Sequence, residues 1–262
     1  MVSTFTILAL CLSLLGCLVF PIVLCIVFMR KNHPGALPLI MGIVVFIVFV
    51  LILEQLMHYV FLSAIPATKT LFGNNPWLFA TYGALAAGIF EETGRFLAFT
   101  FFLKKKREWK HGITYGIGHG GIEAVLIAAP AVFSNLVYAF MINSDLFDSV
   151  AKSVPKASFD LMMQTKDALI AQPSWMFALG GFERVCAITI QIALSVLVLY
   201  AVAHKKYVFV GLAILLHAVL DFPAGLAQRG MVPLLAVEGI AAVFAVASLI
   251  FILKSRKLFT PK

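Results

Sequence analysis

The chain has 262 residues, of which 62% are hydrophobic and 12% charged, with a mean hydropathy of +1.02. Soluble domains carry about twice that charged fraction, so a water-soluble enzyme is excluded. The net charge of +8 sits in short loops between apolar runs, which orients a protein in a membrane and is not a nucleic-acid footprint; lipid is the expected partner and nucleic acid is not.

Apolar runs long enough to cross a hydrocarbon core of roughly 30 Å recur along the chain, and backbone groups in lipid demand that they be helices. The expected fold class is all-α, a polytopic transmembrane helix bundle of about seven spans in a single domain over residues 1–262. The first run, about 5–29, carries Cys11, Cys17 and Cys25, and Cys186 lies in the fifth. With no CxxC pair, all four read as small buried side chains. Leu14-Leu15-Gly16-Cys17 resembles a lipoprotein cleavage site, but no basic residue precedes it and the run continues to Phe28, so a span is expected. Further spans are expected at about 36–63, 76–103 and 112–141. Residues 142–174 then form an external loop, with an amphipathic periodicity around Phe159, Leu161 and Met162 that suits a surface-lying helix. The last spans are expected at about 175–203, 207–227 and 231–253. Trp77, Trp109 and Trp175 fall at span ends, as interfacial anchors do.

Lys and Arg sort by side. Arg30, Lys31, Lys104, Lys105, Lys106, Arg107, Lys110, Lys205, Lys206, Lys254, Arg256, Lys257 and Lys262 fall on one side, thirteen in all. Lys69, Lys152, Lys156, Lys166 and Arg229 fall on the other. The excess places the N-terminus outside and the C-terminus in the cytoplasm of a multi-pass cell-membrane protein.

Three of the spans carry a first set of seven ionisable groups: Glu91, Glu92 and Arg95 on the third, His119 and Glu123 on the fourth, His217 and Asp221 on the sixth. Left unpaired they would cost on the order of 15–20 kcal/mol. Arg95 is within helical reach of both glutamates, and His119 with Glu123 and His217 with Asp221 repeat a four-residue spacing. Counted from the cytoplasmic ends at 1.5 Å per residue, the groups lie about 10 to 21 Å deep on three different helices, which points to one shared site. Gly88, Gly94, Gly112, Gly116, Gly118, Gly120 and Gly121 cluster on spans three and four and permit close helix approach. A second polar set, Glu54 and His58 on span two with Glu183 and Arg184 on span five, reads as an ion pair between spans or as support for a substrate gate.

Two carboxylates and two histidines facing one cavity can hold and deprotonate a water molecule, and suit hydrolysis of an amide bond. No cofactor is demanded, though Glu91, His119 and His217 are of the types that bind a divalent metal such as zinc. The HExxH helix of soluble metalloproteases is absent.

Glu91-Glu92-x-x-Arg95, a histidine on the next span and His217-x-x-x-Asp221 resemble the type II CAAX prenyl endopeptidase superfamily, which includes PrsW-type proteases. Within it the match is to the bacterial YhfC family of intramembrane metalloproteases. The resemblance implies that Glu91 activates water with His119 and that Arg95 and Glu92 complete the motif. It also implies that His217 and Asp221 support the oxyanion; Tyr115 and Glu123 are the candidate supporting residues. The implied substrate is a membrane-embedded or lipidated peptide or protein, and the implied location a bacterial plasma membrane. Three departures stand out. Two residues rather than three separate the paired glutamates from Arg95. Tyr115 replaces a phenylalanine, and Asp221 replaces an asparagine and cannot donate a hydrogen bond when ionised. Two other readings fit the same residues: a non-enzymatic membrane scaffold or immunity factor retaining the protease fold, and a proton-coupled transporter. Against the latter, the chain shows no repeated halves.

Overall fold

The computed structural model describes residues 1–259, which contain helices and no strand; Lys262, one of the thirteen cations on the basic side, lies outside the described residues. Helix α1 spans Thr4–Asn32 and α2 Leu37–Ala64, with π-helical stretches at Phe46–Glu54 and Val60–Ala64. A short α3, Pro66–Asn74, precedes α4, Pro76–Leu97, which continues as a π turn over Ala98–Phe102. Next come α5, Trp109–Asn143 with a π stretch at Ala124–Ala128, then α6, Phe147–Ala151, and α7, Lys156–Ala171. The chain ends with α8, Ser174–Ala203, α9, Val208–Ala227, and α10, Leu234–Ser255, closed by a 3-10 turn at Arg256–Phe259.

Six helices, α1, α2, α5, α8, α9 and α10, are long and apolar enough to cross a membrane, and the protein is a multi-pass membrane protein. The expected span over 76–103 is also a helix, α4, but Glu91, Glu92 and Arg95 lower its hydropathy and leave it outside that set. Its start is well specified: the Asn75 side chain accepts from the Leu78 N–H at 3.1 Å, and Pro76 occupies the first turn. Large apolar side chains point outward on the spanning helices, Val243 and Leu253 of α10 among them, as expected of surfaces that meet lipid.

The chain divides into two compact units. One comprises Met1–Val23 and Glu123–Val185. Its core gathers Val2, Leu10, Ala139, Phe147, Met162 and Leu169. The expected amphipathic helix around Phe159 is present as α7, and it sets Met162 and Leu169 into this core while Leu161 faces out. Here a Cβ on Gly181 would lie 2.7 Å from Ser13 Cα, so only glycine allows that crossing.

The second unit comprises Leu24–Ile122 and the chain from Cys186 onward. Phe99, Leu103, Tyr115, Leu194, Val198 and Leu199 lie in its core. Glycines set several of its helix crossings: a Cβ on Gly116 would sit 2.4 Å from Ile192 Cα, and one on Gly88 2.8 Å from the Ile214 carbonyl oxygen. Backbone contact of α5 with α8 and of α4 with α9 follows. It leaves short side-chain spans for polar groups to bridge.

Candidate active site

The polar centre of the second unit is built on α4. Glu91, Glu92 and Arg95 fall within one helical turn, so the guanidinium reaches back along its own helix to both carboxylates. Arg95 Nη2 donates to Glu91 Oε2 at 3.1 Å, and Nη1 donates to Glu92 Oε1. Arg95 and Glu92 are completely buried, and Glu91 is 6% exposed. A charge so placed is tolerated in a membrane helix only when paired.

Three other helices complete the site. From α5, His119 Nε2 donates to Glu91 Oε2 at 2.8 Å. The His119 ring is held by the edge of Phe46, 5.3 Å away at 88°, and by Tyr115, whose ring lies 6.1 Å away at 20°. From α9, His217 Nδ1 donates to Glu92 Oε1 at 2.8 Å. Its Nε2 lies 3.3 Å from Asp221 Oδ2 and 3.7 Å from Glu91 Oε1. From α8, the Gln191 amide nitrogen donates to Glu91 Oε2 at 3.1 Å, and its carbonyl accepts from Arg95. Glu91 Oε2 therefore takes donors from three helices. Asp221 is the outermost member, its side chain 37% exposed.

Asp221 also lines a pocket of about 330 Å³, together with His58, Tyr82, Phe79, Gly83 and Gln228. On one wall His58 links Glu54, 3.2 Å from its Nε2, to the Tyr82 hydroxyl, 2.9 Å from its Nδ1. The site thus grades from a fully buried interior at Arg95 to an accessible mouth at Asp221, as ligand pockets do.

Glu91, Glu92, Arg95, His119, His217 and Asp221 come together as depth and spacing suggested. Tyr115 packs under His119, its hydroxyl buried without a hydrogen-bond partner among the described residues. Glu123 takes another course: it accepts from Arg184 Nη1 at 3.0 Å, and Arg184 also donates to Glu183. Glu54 pairs with His58 on its own helix. The four residues expected as one second cluster therefore belong to two separate pairings. An i,i+4 spacing puts groups on one face but leaves them free to choose a partner from another helix.

Gln191 and Tyr82 were not singled out from the sequence. Gln191 interrupts the run Thr189-Ile190-Gln191-Ile192, a signal available to any search that weighs buried amides as well as charges. Tyr82 carries no such mark.

The donor types suit zinc, but their arrangement does not. Among the described residues no group of three or more His, Cys, Asp or Glu is disposed to hold a metal ion. His119 and Glu91 are 2.8 Å apart, the separation of a direct hydrogen bond, whereas two ligands sharing a tetrahedral zinc stand roughly 3.3 Å apart. Glu91 Oε2 is taken by Arg95, Gln191 and His119, and both nitrogens of His217 face carboxylates. Glu91, His119 and His217 are committed to hydrogen bonds in this arrangement.

Comparison with known proteins adds three findings. The profile of a family described as YhfC intramembrane metalloprotease matches residues 16–244. A relative from Bacillus subtilis (strain 168), described as uncharacterized membrane protein YhfC, is 40% identical over 253 residues, covering 95% of this chain and 96% of the relative. No solved structure matches.

Proposed function

The chain belongs to the YhfC family of intramembrane metalloproteases, and from that membership we propose that it hydrolyses a peptide bond of a membrane-embedded or lipidated protein, using water activated by Glu91. The observation that carries the reading is the Glu91 carboxylate, held by donors from three helices beside His217 and behind a pocket that Asp221 lines.

Glu91 Oε1 is the oxygen left for substrate water. A water bound there lies within reach of His217 Nε2, 3.7 Å from Oε1. Glu91 takes one of its protons as its oxygen attacks the carbonyl carbon of the scissile bond. The carbonyl π bond becomes an oxyanion on a tetrahedral carbon. When that intermediate collapses, the C–N bond breaks and the nitrogen takes the proton held at Glu91, leaving an acid and an amine. Arg95 and Gln191 keep Glu91 from turning during these steps, and Glu92 fixes the ring of His217.

An oxyanion needs a donor, and an ionised Asp221 offers none. The pocket offers the Tyr82 hydroxyl, placed by His58, which Glu54 places in turn. In this reading Asp221 orients His217 and Tyr82 donates to the oxyanion.

The test compares membrane proteomes of cells making the wild type and Glu91→Ala. A fragment found only with the wild type supports the proposal. Matching proteomes, with the variant present in the membrane at wild-type level, would overturn it.

A further inference from the structure

In the second unit, the last turn of α1, the first turn of α5 and the end of α10 enclose a pocket of about 580 Å³. Lys31, Lys110 and Arg256 line it with Asn32, Glu108, Trp109 and Phe259. Three cations against one carboxylate give it a formal charge of +2, and that carboxylate is engaged: Glu108 holds Lys110 at 3.1 Å. Trp109 forms a fixed wall, its indole N–H donating to the buried Ser255 hydroxyl at 2.9 Å and its ring 6.1 Å from that of Phe28. The Arg256 guanidinium lies 5.8 Å from the centre of the same ring. Lys31 and Arg256 are both exposed.

We propose that this pocket binds the phosphate group of an anionic phospholipid. α1, α5 and α10 are all long and apolar enough to cross a membrane, so the pocket at their ends lies where headgroups lie. Guanidinium and ammonium groups are the side chains that bind phosphate oxygens. A rigid tryptophan beside them offers an amphipathic wall of the kind found at the membrane interface. The net charge of the pocket favours a lipid with net negative charge over a zwitterionic one, since each cation near an anionic surface adds its own attraction. The peptidase reading is not involved.

The test uses the purified full chain in neutral detergent, titrated with phosphatidylglycerol and observed by native mass spectrometry. Wild type is expected to retain one phosphatidylglycerol in preference to phosphatidylcholine. Lys31→Ala combined with Arg256→Ala should lower that adduct about tenfold or more. Glu108→Gln should raise it roughly threefold by lifting the competing negative charge, a gain that an unfolded variant cannot give. Equal retention of the two lipids, or an unchanged adduct in the double variant, would overturn the proposal. Release of phosphatidylglycerol by excess inorganic phosphate would also overturn it, by assigning the pocket to soluble phosphate esters.

Discussion

Among the described residues an arginine stands between two carboxylates twice, once in each compact unit. Arg184 binds Glu123 and Glu183 with side chains 13%, 19% and 31% exposed. Arg95 binds Glu91 and Glu92 in full burial, and there two imidazoles, an amide and a third carboxylate are added. The first arrangement has what is needed to carry charge through apolar surroundings. The second has proton donors and acceptors beyond those needed to balance charge, in a place where each costs stability. The surplus marks the candidate site better than the presence of ions does.

That contrast can be broken or sharpened. Glu91→Gln keeps the shape and hydrogen bonds of the side chain but removes the base, so it should lower peptidase turnover by roughly 10²- to 10⁴-fold with the protein still folded; unchanged turnover would remove Glu91 from the chemistry. Tyr82→Phe should reduce kcat by roughly 10²-fold with KM unaltered, the loss expected for one oxyanion donor, and a change confined to KM would make Tyr82 a binding residue instead. In thermal melts, Arg95→Ala should cost about 3–5 kcal/mol because it strands two buried carboxylates. Arg184→Ala, more exposed, should cost about 1–3 kcal/mol while leaving the turnover of the folded fraction intact. Equal costs would mean that the two clusters do the same work. The smallest effect is expected from chelation: treatment with 1,10-phenanthroline should leave turnover unchanged. Loss of activity restored by zinc would show that Glu91, His119 and His217 regroup around a metal during catalysis.

Much of this was legible in the sequence, for a simple reason. Inside an apolar run an ionisable residue is costly, so Glu91, Glu92, Arg95, His119, His217 and Asp221 advertise themselves. Depth counted along three helices then puts them at one level. What spacing could not supply was the choice among partners. His119 turns to Glu91, while Glu123, four residues on, turns to Arg184. A π stretch begins directly after Glu123 and alters the facing of the helix beyond it. The four-residue spacing pairs His58 with Glu54, but its second partner, Tyr82, lies on another helix 24 residues away. Gln191 stands out less, because an amide in a span is cheaper than a charge. Short helices such as α3 and α6 left no periodic signal, since each is under three turns long.

The most direct measurement reconstitutes the full chain in liposomes with the substrate identified from the membrane proteomes and follows cleavage by the wild type, Glu91→Gln and Arg184→Ala. The account predicts cleavage by the wild type and by folded Arg184→Ala, and none by Glu91→Gln. Cleavage by Glu91→Gln at the wild-type rate would contradict it.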